Sequence, residues 1–561
     1  MLYPQTELQC VDIVNKNLDC EKMIIGNQNI TRAGTSRQSV YDLPNIDAKT
    51  YTLGLSAGFH DAGATLIDSY GNIVFAGHAE RYSGVKNDAN LNQALIDDAL
   101  SYGKPASIAW YENHWLKRTR QLYSGEWRKA IDFSTTPAKL INPLLKQRGL
   151  MPVFKKPPVI TSYGHHLCHA AAGFQTSPFD KAKIIVVDAI GEWDTISIWQ
   201  ASYTPEEFAS NPATQGKGRA QYKKIWSQSY PHSIGLYYSA VTQYVGLKPM
   251  EDEYILMGMA AYGKAYQTAY EENLKLLTDD CKITFKDNLH AGIDDEQFSG
   301  TGLTEYDIAA GAQKVTEQLL RNIFVKNVSR EDNVVFMGGV ALNCVANAML
   351  REHCKRLWIM PNPGDCGSSL GAAALQYGRR LKWLGPYLGH DMGGEYPVDK
   401  IIGALITDKI VGVATGRAEF GPRALGTRSL LADPRGEDIK DRVNEIKHRQ
   451  KFRPFAPMIL EEHAHEVFEM HGDTNPYMQS TYKCKQPNLY PAIVHADGTS
   501  RVQTVGKQDH PGVRALLEKW YFMTGCPLLL NTSLNIKGEP MVNNRSDADR
   551  FELRYGVTVC S

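Results

Sequence analysis

The chain has 561 residues, 43% hydrophobic and 22% charged, and Lys+Arg and Asp+Glu both total 61, so its formal net charge is zero. That size suits about two to four domains of an ordinary globular protein, and a neutral chain has no global field to recruit a nucleic acid or a membrane, although a local basic patch is still allowed. Its ten cysteines are scattered and form no C-x-x-C pair, which argues against a disulfide framework or a zinc knuckle and suits a reducing cytoplasm.

Residues 1–49 are polar, without a sustained period, and read as an N-terminal extension with no apolar signal-peptide core. From Tyr51 the pattern predicts a strand at 52–56 and a turn through Gly58-Phe59-His60-Asp61-Ala62-Gly63. Paired strands follow at 64–67 and 73–76, joined across Ser69-Tyr70-Gly71-Asn72. Apolar spacing predicts a helix over 91–102. The stretch from Trp110 to Lys129 interleaves Trp and Tyr rings with Lys117, Arg118, Arg120, Arg128 and Lys129. Rings among cations suit base stacking and phosphate neutralisation, and an amphipathic helix with its rings turned inward fits the same pattern.

The Ala-rich run 164–174 predicts a helix with His165 and His169 one turn apart on the same face. Two imidazoles so placed can share a transition metal if a third ligand comes from elsewhere. Asp365, in the Gly/Pro loop Asn362-Pro363-Gly364-Asp365-Cys366-Gly367, is the best candidate. A pair of hydrogen-bonded core histidines is the plainer alternative. At 183–200 a buried-type strand ending in Asp188, a turn through Gly191 and Glu192, and a return strand repeat the plan of 51–76, which suggests an internal duplication with both turns at a shared cleft, with two ordinary hairpins of an α/β protein as the plainer alternative. A long amphipathic helix is predicted over 306–328. Gly338-Gly339 then follows a strand and precedes a helix, where backbone N–H groups can cradle phosphate. The stretch 334–350 is apolar but is broken by Gly338, Gly339, Asn343 and Asn347, so no membrane span is expected.

Residues 378–400 mix Arg, Gly, Pro and Asp like a seam between domains. Beyond the seam, Arg417, Arg423, Arg428, Arg435, Lys447, Arg449 and Arg453 sit beside apolar or turn residues. Guanidiniums in that setting suit bidentate binding of a polyanion such as ATP, with salt bridges to Glu419, Asp433 and Glu445 as the alternative.

These motifs resemble those of the O-carbamoyltransferases that modify nodulation factors, cephems and aminoglycosides. The similarity runs from about Tyr51 to Ser561. It is most specific at Glu419-Phe420-Gly421-Pro422-Arg423-Ala424-Leu425-Gly426, with support from 452–457, 501–505 and 531–535. In the first half Phe59-His60-Asp61, His165-His166-x-x-His169, Asp188 with Gly191-Glu192, 338–343 and 362–367 occur in the family's order. The resemblance implies an α/β protein of two domains. Residues 50–385 would be a duplicated actin- and sugar-kinase-like fold similar to the threonylcarbamoyl-transfer enzymes, and 386–561 a YrdC-like α/β domain.

The implied chemistry is ATP-dependent. The C-terminal domain would join the carbamoyl group of carbamoyl phosphate to AMP, using ATP with Mg2+. Arg417, Arg423, Arg428, Lys447, Arg449, Arg453 and Arg501 would neutralise phosphates, while Asn531, Ser533 and Asn535 would supply neutral hydrogen bonds. The first domain would pass the carbamoyl group to an acceptor hydroxyl. There His165, His169 and Asp365 would hold Fe2+ or a similar divalent metal, and His60 would act as general base at neutral pH. Asp188, Gly191, Glu192, Gly338, Gly339 and Asn343 would hold the adenylate. Trp110, Arg118 and Arg120 would meet the acceptor, whether a sugar, a small molecule or a hydroxymethyl pyrimidine in DNA. A threonylcarbamoyl-type tRNA-modifying enzyme and a non-catalytic nucleotide-binding protein are the competing readings.

Overall fold

The computed structural model describes residues 49–147, 159–205, 218–278, 283–470 and 474–561. The extension assigned to 1–49 lies outside them except for its last residue, and Thr50–Ser561 is one compact unit.

Ten strands build two five-stranded sheets. Strands β1 (Tyr51–Ser56), β2 (Gly63–Asp68), β3 (Ile73–His78), β4 (Pro105–Trp110) and β5 (Ile160–Ser162) lie in the order β3-β2-β1-β4-β5. Strands β6 (Lys181–Gly191), β7 (Asp194–Tyr203), β8 (Ala220–Ser229), β9 (Asn333–Met337) and β10 (Arg356–Trp358) lie in the order β10-β9-β6-β7-β8. Renumbered within each half, the two orders are the same. In both, three antiparallel strands come first and two parallel strands are added on the other side of the first strand. The repeated strand-turn-strand units of the sequence are therefore the opening hairpins of two duplicated halves.

Between the sheets pack the helices His165–Thr176 and Ser368–Tyr377. A side chain on Gly371 would meet the carbonyl of Cys168 at 1.9 Å, so glycine is required for this close helix crossing. Leu370, Ala373 and Ala374 fill the same contact with Ala170, Ala171 and Phe174. The predicted helix over 306–328 runs from Glu305 to Asn327 and starts with a capping box between Thr304 and Asp307.

Beyond β11 (Tyr387–Asp391), strands β12 (Ile410–Ala414), β13 (Arg417–Glu419), β14 (Arg428–Ala432), β15 (Ala456–Leu460), β16 (Tyr482–Lys483), β17 (Thr499–Ser500), β18 (Gln503–Val505), β19 (Leu528–Ser533) and β20 (Val559–Cys560) follow. Six of them form a mixed sheet in the order β18-β15-β19-β14-β12-β20. Trp520, Leu516 and Leu517 of the helix Pro511–Thr524 belong to its core, together with Leu528, Leu529 and Leu530 of β19. The two-sheet region is tied to the region of the six-stranded sheet by Arg81 Nη2, which donates to Gly421 O at 2.8 Å, and by Tyr262 OH, which donates to Phe452 O at 2.8 Å. Among the described residues no helix is long and apolar enough to cross a membrane.

Candidate active site

The helix His165–Thr176 begins at His165 after Gly164, so both histidines lie in its first turns. Strand β6 pairs with β9 through Val186 and Met337, which brings Asp188 and Gly339 out of the sheet together. Gly339 N donates to Asp188 Oδ1 at 2.9 Å. Asp365 opens the turn before the helix Ser368–Tyr377. The ligand atoms of His165, His169, Asp188 and Asp365 all lie within 4.8 Å of one another, and all four residues are buried. His165 Nε2 is 3.1 Å from Asp188 Oδ2 and 3.3 Å from Asp365 Oδ1. His169 Nε2 is 3.3 Å from the same Asp365 oxygen.

Asp365 Oδ1 is buried and takes no hydrogen bond among the described residues, an arrangement that costs free energy unless a cation compensates it. Two imidazoles and two carboxylates are a donor set suited to a divalent transition metal. His169 Nδ1 lies 3.3 Å from Ser368 Oγ, which can hold the ring in the tautomer that leaves Nε2 free. Burial opposes a charge on His165, but Asp365 and Asp188 outweigh it and raise its pKa. His166 points away, with Nδ1 2.7 Å from Ser197 Oγ.

His60 lies at the rim, its Nε2 3.7 Å from Asp365 Oδ2 and its Nδ1 3.2 Å from Asp61 Oδ2. Burial lowers its pKa, but Asp365 and Asp61 outweigh burial and raise it to about 9. A cation held by Asp365 would neutralise the first of these carboxylates and free the imidazole to accept a proton.

The cationic set Arg423, Lys447, Arg449, Arg453 and Arg501 lines the same cavity as His60 and Asp365. Lys447 Nζ donates to Ser533 O, to Ser533 Oγ at 3.2 Å, to Asn535 O at 2.9 Å and to Asn535 Oδ1 at 3.0 Å. Arg453 stacks on Tyr254 at 4.6 Å and Arg449 on Phe455 at 4.4 Å. Arg423 is pushed down to about 9 by burial and then by Arg501. Burial, with Arg449 and Arg453 beside it, likewise lowers the Lys447 ammonium. Among the described residues none of these five cations pairs with a carboxylate. Such crowding is relieved by a bound polyanion. One cavity of about 480 Å³ is lined both by His60, Asp188 and Asp365 and by Arg423, Lys447 and Arg453.

Two family models cover this architecture, carbamoyltransferase N-terminus over residues 51–374 and carbamoyltransferase C-terminus over residues 402–560. The chain belongs to the carbamoyltransferase family. It is similar to an uncharacterised protein of Synechocystis sp., at 33% identity over 90% of this chain and 94% of the relative. Nodulation protein NolNO of Sinorhizobium fredii is 29% identical over 87% of this chain and 76% of the relative. An uncharacterised protein of Methanocaldococcus jannaschii is 30% identical over 88% of this chain and 96% of the relative. The protein is thus an enzyme that transfers a carbamoyl group, and the non-catalytic reading is set aside.

Several sequence assignments to the carbamoyltransferase site change on the fold. Asp188, expected at the nucleotide, lines the cavity and also belongs to the His/Asp cluster whose atoms are placed to hold a metal. An acid that closes the apolar run 184–187 at the edge of a turn was the available signal. Gly191 is a packing position, since a side chain there would meet His165 Cδ2 at 2.4 Å. Glu192 Oε1 accepts the backbone N–H of Asn113 and, at 3.3 Å, that of His165. Gly338 packs on Val187, whereas Gly339 and Asn343 line the cavity.

Arg428 is fully buried and donates to the carbonyls of His390, Thr415, Gly416, Thr427 and Asn543. Arg417 donates to Val74 O, Leu388 O and Gly389 O. Both guanidiniums are therefore spent on backbone in the carbamoyltransferase, away from the cavity. The salt-bridge alternative holds for Arg435, 2.8 Å from Asp433.

Asn531 lines the cavity; its Nδ2 donates to Ala424 O and Gln503 Oε1, and its buried Oδ1 has no hydrogen-bond partner among the described residues. Trp110 is 1% exposed at the end of β4 and cannot meet an acceptor. Arg118 and Arg120 are also buried. Arg118 donates to Asp132 O, and Arg120 pairs with Glu126 at 3.2 Å. Tyr254, Lys86, His78 and Glu80 line the cavity without a sequence signal that marked them.

Proposed function

We propose that this carbamoyltransferase is an ATP-dependent O-carbamoyltransferase working in two steps, with adenylate formation assigned to 386–561 and transfer to 50–385. In the first step carbamoyl phosphate, ATP and water give carbamoyl adenylate, phosphate and pyrophosphate. In the second, the acceptor oxygen attacks the carbamoyl carbon, the bond from that carbon to the AMP oxygen breaks, and AMP leaves. The observation that carries this reading is the single cavity whose lining joins the unpaired cations to His60 and the His/Asp cluster.

Arg423, Lys447, Arg449, Arg453 and Arg501 neutralise the phosphates, and backbone and amide oxygens hold Lys447 in place. His165, His169, Asp188 and Asp365 would hold a divalent metal, Fe2+ or a similar ion, which when bound supplies Lewis-acid stabilisation of negative charge. His60 takes the proton of the acceptor hydroxyl. Gly339 and Asn343 border the nucleotide's path, with Gly339 N–H already committed to Asp188. The acceptor is a hydroxyl of a sugar, a small molecule or a modified nucleobase.

The test is an incubation with carbamoyl phosphate and ATP with Mg2+ in the absence of acceptor. Pyrophosphate should be released and carbamoyl adenylate should be detected by mass spectrometry. AMP release that needs an acceptor should follow. An enzyme that carbamoylates an acceptor without ATP overturns the reading.

A further inference from the structure

The segment 113–146 holds seven Lys or Arg residues against two carboxylates, in a chain whose total charge is zero. It folds as the helices His114–Tyr123, Trp127–Ile131 and Pro137–Gln147 with a short turn between the last two. Trp115, Thr119 and Tyr123 are four residues apart and share one helix face. Large rings are open to solvent here, with Trp115 59%, Tyr123 69% and Trp127 64% exposed. Such exposure is unfavourable unless something covers the rings.

Four of the seven cations are held by the protein itself: Lys117 pairs with Glu112 at 2.9 Å and Lys129 with Glu126 at 2.5 Å, and Arg118 and Arg120 are buried. Arg118 lies behind the rings, 3.8 Å from the Phe133 ring centre and 5.6 Å from that of Trp115. Arg120 lies over Tyr230. Arg118 also donates to Asp132 O, and Arg120 pairs with Glu126 at 3.2 Å, so neither is available to a ligand. Arg128, Lys139 and Lys146 are exposed and, among the described residues, make no ion pair. The platform adjoins the transfer centre. Lys117 Nζ lies over the Phe59 ring at 5.7 Å, and the Phe59 and His60 rings are 4.8 Å apart. Glu192 joins Asn113 N to His165 N, and Trp193 Nε1 donates to Thr119 Oγ1 at 3.0 Å.

We infer that 113–146 seats the acceptor and that the acceptor is a nucleic-acid strand bearing a hydroxymethyl pyrimidine. This rests on the two-step reading above and names the acceptor class. Open rings stack on bases, and unpaired cations beside them meet phosphates. A neutral saccharide would use the rings and leave the cations unused. A second copy of the chain would set two segments of like charge against each other. Ordinary bases carry no alcohol, and a hydroxymethyl group on a pyrimidine supplies one that a base stacked on this platform can bring to His60. The new bond then joins its oxygen to the carbamoyl carbon, the bond from that carbon to the AMP oxygen breaks, and the hydroxyl proton goes to His60.

The test uses the full chain and a fluorescein-labelled single-stranded DNA carrying hydroxymethylcytosine. Anisotropy is followed as KCl rises, and mass spectrometry follows carbamoylation in the presence of carbamoyl phosphate and ATP. Binding should weaken steeply with salt. The double variant Arg128→Gln, Lys139→Gln should lower the log–log salt slope by roughly one to two. Trp115→Ala should weaken binding about tenfold. Pyrophosphate release without acceptor shows that each variant is folded, and its absence in the unaltered protein would count against the two-step reading instead. If pyrophosphate is released but DNA binding is absent, insensitive to salt or unchanged in these variants, the inference is wrong. It is equally wrong if a saccharide is carbamoylated while the oligonucleotide is not.

Discussion

The Nε2 atoms of His165 and His169 face each other at 3.1 Å. Asp365 Oδ1 stands 3.3 Å from both, and Asp188 Oδ2 lies on the same side. This arrangement expects one equivalent of divalent transition metal in purified protein, measured by plasma mass spectrometry. Asp188→Asn should lower metal affinity by more than the roughly 10–100-fold that follows loss of an outer hydrogen-bond partner. Full metal content in Asp188→Asn would show that the ligands are the two histidines and Asp365 alone.

Gly191 tests the same centre from behind. An added methyl group would meet His165 Cδ2 at 2.4 Å and His166 Cδ2 at 2.7 Å, and a buried packed side chain has little room to yield. Gly191→Ala should reduce metal content and acceptor carbamoylation together while pyrophosphate release continues. A variant with normal metal content would show that the ring can move aside.

Arg428 should matter for stability, not for phosphate binding. Its guanidinium satisfies five backbone carbonyls inside the protein. Arg428→Ala should cost about 3 kcal/mol or more, read from the midpoint of urea unfolding. Arg428→Lys should recover only part, because an ammonium cannot reproduce the planar fork. An unchanged midpoint with lost pyrophosphate release would return Arg428 to the ATP site.

Asp307 gives a pH signature. Burial raises its carboxyl, but Thr304 and the backbone N–H groups of Ala265 and Lys264 outweigh this and hold it at about 2, below the ordinary 3.8. A carboxyl lowered in the folded state contributes stability above its unfolded pKa and loses it as pH falls through the folded one. The unaltered protein should therefore be more stable than Asp307→Asn by about 1 kcal/mol at pH 7, with the gap closing from about pH 4 towards pH 2. A gap that does not change with pH would assign the cap no charge.

The duplicated fold was legible because each half repeats a strand, a Gly/Asp turn and a return strand, and strand patterning survives in the sequence. The unpaired cations Arg423, Lys447, Arg449 and Arg453 stand out by their turn-rich neighbours, and Arg501 only by the family motif at 501–505. The same signal also marked Arg417 and Arg428, because a guanidinium near Gly and Pro serves backbone carbonyls as readily as phosphates. Only β-sheet register decides between the two. Trp110 closes β4 and points into the core, and Arg118 and Arg120 are buried as well, because the alternation of rings and cations does not tell which of them face solvent. The place of Asp188 beside His165 and Asp365 is not visible in the sequence, because these partners are distant along the chain and come together only through packing of the helices His165–Thr176 and Ser368–Tyr377.

The division of chemistry along one cavity is the central claim, and parallel assay of the two half-reactions tests it most directly. Arg453→Ala should reduce pyrophosphate release by on the order of a hundredfold or more and take acceptor carbamoylation down with it. His60→Ala should release pyrophosphate at the unaltered rate and form carbamoyl adenylate, yet fail to carbamoylate the acceptor. Equal loss of both half-reactions in His60→Ala would contradict the division.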